Sequence, residues 1–325
     1  PGRKLPGVYG QSSPNMNAGD LRTRGYEMSL AWNDSFSLAR KPFRYGVSAS
    51  LADSRAKITR YDNPDKSLSS YIEGRDIGEI WGYHIEGLFR NDAEAAARPV
   101  DQSKVNNHIY NGAQGEYRGL KGGDLIYADL NDDGKVDQGD YTLDNPGDLR
   151  VIGNSRPRWH YNFNANVSWF GFDLSVFFQG IGRQHIYPGA NNMMFWGPYA
   201  RPYASFIPKS ILTDVWTEDN PDAYFPKVRG YARADGGSLG QVNDRYLQNL
   251  AYLRLKNVTV GYTIPENLTR KIHVDKIRVY FSGDNLATWT KLKSDYLDPE
   301  QMSSDSNGRV YPFSKTYSFG VDITF

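Results

Sequence analysis

Three observations predict that this 325-residue sequence folds as an all-β protein, specifically a segment of a transmembrane antiparallel β-barrel. Apolar side chains recur at every second position over strand-length runs, which gives each strand one greasy and one polar face. The connections between runs alternate short and long, as in barrels with turns at one end and loops at the other. Aromatic residues, 14% of the chain with 23 Tyr, gather near the ends of the apolar faces, where an interfacial girdle falls.

The clearest run is WHYNFNANVSWFGFDLSVFFQG at 159–180, in which Trp159, Tyr161, Phe163, Ala165, Val167 and Trp169 alternate with His160, Asn162, Asn164, Asn166 and Ser168. A tight turn at Phe170 and Gly171 leads into Phe172, Leu174, Val176 and Phe178, so the stretch reads as one long hairpin. Tyr26, Met28, Leu30 and Trp32 mark an earlier strand, and Tyr45, Val47, Ala49 and Leu51 another. Val258, Val260 and Tyr262, then Ile277, Val279 and Phe281, mark two later ones. Tyr317, Phe319, Val321, Ile323 and Phe325 complete a set of about seven.

The connections at 33–42, 170–171 and 264–275 are short, while those at 56–157, 181–250 and 289–314 are long. Crossing the apolar slab at a tilt takes about 9–11 residues, and several runs reach that length. Tyr45, Trp159, Trp169, Tyr262 and Phe325 stand where girdle rings are expected. Seven strands leave two open edges, and each unpaired backbone group in hydrocarbon costs several kcal/mol. The chain is therefore expected to be part of a barrel, and its start at Pro1, without Met or export signal, fits a C-terminal fragment.

Composition narrows the partners. The net charge of +1 comes without a clustered basic run, so there is no footprint for nucleic acid or for anionic headgroups. Cysteine is absent, which excludes disulfides and thiolate metal sites. No apolar stretch approaches the ~18 residues of a membrane helix. A mean hydropathy of −0.63 would suit a secreted carbohydrate-binding β-sandwich, but averages are blind to alternation. That rival places Trp169, Phe178 and Phe319 in a dry centre between two sheets, and a passive or structural outer-membrane barrel is the other. Catalysis finds no support: there is no G-x-S-x-G, no H-E-x-x-H and no G-x-x-x-x-G-K, so the chain is not expected to be an enzyme.

Two stretches carry candidate sites. DLNDDGKVDQGD at 129–140 has the spacing of a calcium loop, with oxygen ligands from Asp129, Asn131 and Asp133, the sharp turn at Gly134 and a backbone carbonyl from Lys135. Asp137 would act through water, and Asp140 stands where a bidentate Glu is usual. The expected occupant is a structural Ca²⁺ or Mg²⁺ that offsets the carboxylate repulsion and stiffens a long loop. NNMMFWGPYARPYASF at 191–206 offers Trp196, Tyr199, Tyr203 and Phe206 for substrate stacking, for a partner surface or for the loop's own core. The polar faces, including His160, Asn162, Asn164, Asn166, Arg278 and Asp284, would line a wet interior.

Seven stretches in order resemble the SusC/RagA family of TonB-dependent outer-membrane transporters of Bacteroidetes. They are NAGDLRTRGYEMSL (17–30), GEIWGYHIEGLF (78–89), GDLIYADLNDDGKVDQGD (123–140), GFDLSVFFQG (171–180), YLRLKNVTVGYTIP (252–265), IRVYFSGDNLATWT (277–290) and the terminal strand. The resemblance covers residues 17–325 and matches the last third of such a transporter. It implies a 22-stranded barrel, with a plug domain and the N-terminal strands not contained in this chain. It further implies TonB-driven import of oligosaccharides or peptides, a surface lipoprotein of the SusD type as a lid, and a place in the outer membrane. Under it, the alternating residues Tyr317 to Phe325 look like the signal read by the barrel-assembly machinery.

Overall fold

The computed structural model describes residues 19–325 apart from 114, 202, 204–206, 235, 236, 304 and 312. Seven long strands form one antiparallel sheet in sequence order: β1 (Gly19–Leu38), β2 (Lys41–Tyr61), β3 (Arg158–Trp169), β4 (Phe172–Arg183), β5 (Tyr252–Thr263), β6 (Lys276–Thr290) and β7 (Thr316–Thr324). Each strand pairs only with its sequence neighbours in the sheet, so β1 and β7 are open edges, as a slice of barrel wall requires. No helix among the described residues is long and apolar enough to cross a membrane.

Register confirms two chemically distinct faces. Val47 pairs with Ala165, Ala165 with Val176 and Val176 with Val258, and in the neighbouring row of the same face Leu174 pairs with Val260 and Phe281 with both Val260 and Phe319, so an apolar face runs across six strands. The row one residue over joins Ser48, Asn164 and Phe177, and Thr259 pairs with Ser175 and Ser282, with Ser318 beyond. Phe177 is the one large apolar residue in this otherwise polar row. The apolar face is not roofed: Leu30 is 76% exposed and Phe319 75%, while Trp169 and Phe178 are half-buried. A sandwich would have buried all of them, so the soluble rival does not describe this fold.

The polar face is held by paired groups. Arg278 donates from Nε and Nη2 to the two oxygens of Asp173 at 2.9 and 2.7 Å, spanning from β6 to β4 across β5, and reaches Asp322 on β7 at 3.2 Å. Gly261 lies under that bridge, where an added Cβ would come within 2.6 Å of both Arg278 and Asp173. Asn257 donates to Asp284 and Ser282 at 2.8 and 3.0 Å. The Arg278 and Asp284 read from sequence as interior charges are thus both engaged within the wall.

The short connections are tighter than the pattern of side chains indicated. β1 and β2 run on to a two-residue turn at Ala39 and Arg40, both with positive φ (51° and 63°), in place of a connection over 33–42. The turn geometry matches the twist of the flanking strands, and pairing in water needs no apolar pattern, which is why the extension was invisible in sequence. Phe170 and Gly171 (φ 56° and 88°) make the second hairpin turn where it was expected. At 20 and 21 residues, β1 and β2 exceed what a bilayer requires.

The chain divides into two compact units. The wall unit comprises Gly25–Ser54, Pro157–Phe195 and Gln248–Phe325; the loop unit is built mainly from Arg55–Arg156 and Trp196–Leu247. Most of the buried apolar residues lie in the loop unit, with a smaller cluster of Leu250, Leu292 and Met302 in the wall unit. The loop unit's ladders pair Glu79–Gly82 with Arg150–Asn154 and Ile85–Leu88 with Leu125–Tyr127, and helix α1 (Asp92–Ala97) starts where the Asn91 side chain accepts from the Glu94 N–H at 2.9 Å.

Candidate functional site

The acidic stretch 129–140 forms a tight loop in the loop unit. Gly134 has φ +82°, which the turn demands and a side chain would resist. Asp129 closes the turn, its Oδ2 accepting from the Gly134 N–H at 2.8 Å and its Oδ1 from the Asp133 N–H at 3.2 Å. Asn131 joins them, accepting from the Asp133 N–H and donating to the Asp133 carboxylate, both at 3.2 Å. So the structure brings Asp129, Asn131 and Asp133 together.

The remaining predicted ligands are less convergent. Lys135 places its ammonium 2.9 Å from Asp137 and 3.7 Å from Asp133, a built-in cation among the carboxylates. Asp140 turns to accept from Asn145 at 2.8 Å. No group of three or more His, Asp or Glu side chains converges as a metal cage among the described residues. What sequence reasoning missed is Asp148, buried and accepting from the Leu130 and Asp137 N–H groups at 2.7 and 2.8 Å, which pins both ends of the loop. Burial raises its pKa, and the nearby charges of Asp129 and Asp133 push the same way.

Of the aromatic stretch, Trp196 and Tyr199 are both 0% exposed. Trp196 meets Tyr246 edge-on at 5.5 Å under the guanidinium of Arg233, and Tyr199 stacks on Phe225 at 5.9 Å while donating to the Pro226 carbonyl at 2.6 Å. These two rings serve the loop core. Burial drives the Tyr199 and Tyr246 hydroxyl pKa values up, so both stay protonated donors. Tyr203 is 72% exposed, and Phe206 lies outside the described residues.

Two further constellations carried no motif. In the wall unit Arg254, fully buried, is gripped by Asp298 and by Glu300 at 2.7 Å, with its guanidinium plane over Tyr252 and Phe313. A register shift between Leu255 and Asn257 puts Arg254 and Asn257 on the same face, and Lys256 also reaches Glu300 at 2.9 Å. The connection after β6 is thereby latched onto the wall through helix α2 (Pro299–Met302), capped by Asp298. The other is an open cavity of about 500 Å³ in the loop unit, walled by Tyr61, Tyr71, Arg75, Asp76, Trp81 and Arg156 among others. The only signal for it in sequence is the density of aromatic and charged residues over 61–81.

No family model matches the chain. Curated relatives do: TonB-dependent receptor P3 of Formosa agariphila is 24% identical over 359 residues, covering 99% of this chain and 30% of the relative. TonB-dependent receptor SusC of Bacteroides thetaiotaomicron is 23% identical over 328 residues, covering 99% and 28%. The chain resembles, over nearly its whole length, one portion of TonB-dependent receptors of the SusC/RagA type. It spans less than a third of the length of these relatives, which are named as receptors and not as enzymes. Among solved structures, the RagAB peptide transporter aligns with a TM-score of 0.64 at 20% identity, covering 99% of this chain and 31% of that one. Receptors of the SusC/RagA type are outer-membrane β-barrel proteins, and the seven-stranded sheet is a stretch of such a wall.

Proposed function

We propose that the chain is the C-terminal barrel portion of a TonB-dependent importer that moves a nutrient, an oligosaccharide or a peptide, across the outer membrane beneath a SusD-like lipoprotein lid. The observation that carries this reading is the uncovered, two-faced wall sheet aligned from end to end with named TonB-dependent receptors. A wall that is greasy on one side and hydrogen-bonded on the other supports a wet passage in lipid. The plug and TonB contact belong to the remainder of the receptor. The solved RagAB structure is named a peptide transporter, which supports import as the activity. The apolar face of β7, from Tyr317 through Phe319, Val321 and Ile323 to Phe325, is our candidate for the assembly signal. Disrupting TonB in the parent strain should abolish uptake of the cargo as fully as deleting the receptor; uptake that persists without TonB identifies a passive barrel instead.

We also infer that Asp129, Asn131, Asp133 and the Lys135 carbonyl hold a structural Ca²⁺ or Mg²⁺, with Asp137 and Asp140 at its margin. The motif spacing and the Gly134 turn held by Asp129 support it. Chelation of the intact receptor should open residues 125–149 to protease, with Ca²⁺ restoring protection and Asp129→Ala abolishing the effect. Unchanged cleavage on chelation rules the ion out.

A further inference from the structure

At its turn end the wall unit carries an open groove of about 610 Å³. Five strands reach it: β2 with Lys41 and Arg44, β3 with Trp169, β4 with Phe172, β5 with Thr263 and β6 with Lys276. Lys41, Arg44 and Lys276 are exposed, and their side chains make no ion pair or hydrogen bond among the described residues; Lys41 instead lies over the Phe170 ring at 5.6 Å. Of the carboxylates in the lining, Asp173 is held by Arg278 and Glu266 by Arg270, so Asp275 alone is uncommitted among the described residues. Three free cations against one free carboxylate make the groove a site for an anion. No basic run announces it, because only the pairing of the sheet brings Lys276 beside the other two.

Register fixes the side from which the groove is reached. Arg44 pairs with Ser168 and Ser168 with Asp173 in a row of the polar face, and Lys276 stands two residues before Arg278 on that same face. Lys41 keeps the parity of Phe43 and Tyr45, while Trp169 pairs with Phe172 on the apolar face, where Phe172 packs on Tyr262 with ring centres 4.6 Å apart. Phe36 and Phe43, at 4.9 Å, extend this belt of rings, and Trp169 is pinned to the β1–β2 turn by donating from Nε1 to the Leu38 carbonyl at 3.3 Å. A molecule confined to the barrel interior would meet Arg44 and Lys276 but miss the rings, and a small free anion would gain nothing from them. An anionic head carrying apolar chains meets both sets. The short turns of such barrels face the periplasmic leaflet, aromatic rings belong at that depth, and Lys and Arg there attract anionic headgroups.

We propose that this groove holds the phosphodiester headgroup of a glycerophospholipid from the periplasmic leaflet, with Lys41, Arg44 and Lys276 around the phosphate and the acyl chains lying along Trp169, Phe172 and Tyr262. The site belongs to the wall and is independent of what the receptor imports. The test uses the full receptor with its partner in nonionic detergent, stripped of co-purified lipid, titrated with dioleoyl phosphatidylglycerol and read by native mass spectrometry. Dioleoylglycerol, which lacks the phosphate, and sn-glycerol 3-phosphate, which lacks the chains, are titrated in parallel. One phosphatidylglycerol should bind ahead of all others, and neutralising each cation should weaken it on the order of fivefold. Lys41→Gln, Arg44→Gln and Lys276→Gln combined should weaken it on the order of a hundredfold, while Lys315→Gln, at the opposite end of the wall, leaves it unchanged. All three positions are exposed, and retained heat-modifiability on gels shows that the combined variant folds. Failure of the unmodified receptor to bind the lipid, equal affinity of the folded combined variant, dioleoylglycerol binding as tightly, or displacement of the lipid by sn-glycerol 3-phosphate overturns the proposal.

Discussion

The wall unit and the loop unit solve the burial problem in opposite ways. In the loop unit Trp196, Tyr199, Tyr246, Leu239 and Tyr127 are all at or below 1% exposure, packed ring on ring as in any soluble domain. In the wall, the large apolar residues of the alternating face, Leu30 and Phe319 among them, have no protein above them. The lipid is their core. One chain thus carries two kinds of hydrophobic residue, one set satisfied by side chains distant in sequence and the other by solvent hydrocarbon, and mutations should separate them.

The largest expected effect is in the loop unit. Trp196→Ala removes a fully buried ring and should cost about 3–5 kcal/mol. Protease sensitivity of residues 196–247 should rise while the barrel remains heat-modifiable on gels; loss of both together would mean that the two units are not separately stabilised. Next comes the wall. Val176→Arg places a charge in the apolar row and should cost about 2–4 kcal/mol near the midplane, whereas Ser175→Arg, one residue away and facing the polar side, should assemble. The yield of folded barrel checks this, and equal tolerance of both would erase the distinction between faces.

A third effect sharpens the comparison through pH. His108 in the loop unit is held to a pKa of about 4 by burial, with the Arg229 charge adding to it, against 6.5 in the unfolded chain. Because the fold excludes the proton that the unfolded state accepts, the loop unit should lose stability as pH falls from about 6.5 to 4, by on the order of 3 kcal/mol. Hydrogen exchange should show opening confined to that unit, and a Phe at position 108 should flatten the response. The smallest effect is Gly261→Ala, whose methyl would press on the Arg278–Asp173 bridge. About 1–3 kcal/mol of destabilisation is expected from such overpacking, read as a lowered melting temperature of the barrel.

The contrast also explains what was legible in the sequence. All seven wall strands could be read because a surface facing lipid on one side and water on the other must alternate residue by residue, as Tyr161 to Trp169 does without a break. Pairs such as Arg278 with Asp173 lie 105 residues apart, so their residue types were visible but their partnership was not. The loop unit has no such period. Trp196 finds Tyr246 and Asp124 finds Arg229 by long-range packing, and the ladders at 79–82 and 85–88 are too short to leave a pattern. The acidic loop could be read because its contacts are local, Asp129 to Gly134 within five residues. The cavity around Tyr71 and Asp76, whose walls reach from Ile58 to Arg156, could not.

The most direct test of the lipid-facing wall follows from the absence of cysteine, which makes single-cysteine labelling clean in this portion. Spin labels placed singly at 277 to 283 along β6 in the receptor in lipid should show a strict two-residue period. Labels at 277, 279 and 281 should be open to oxygen and closed to a water-soluble nickel relaxant, with the reverse at 278, 280 and 282. Labels at 279 and 281 shielded from oxygen, as in the dry centre of a packed core, would contradict the account.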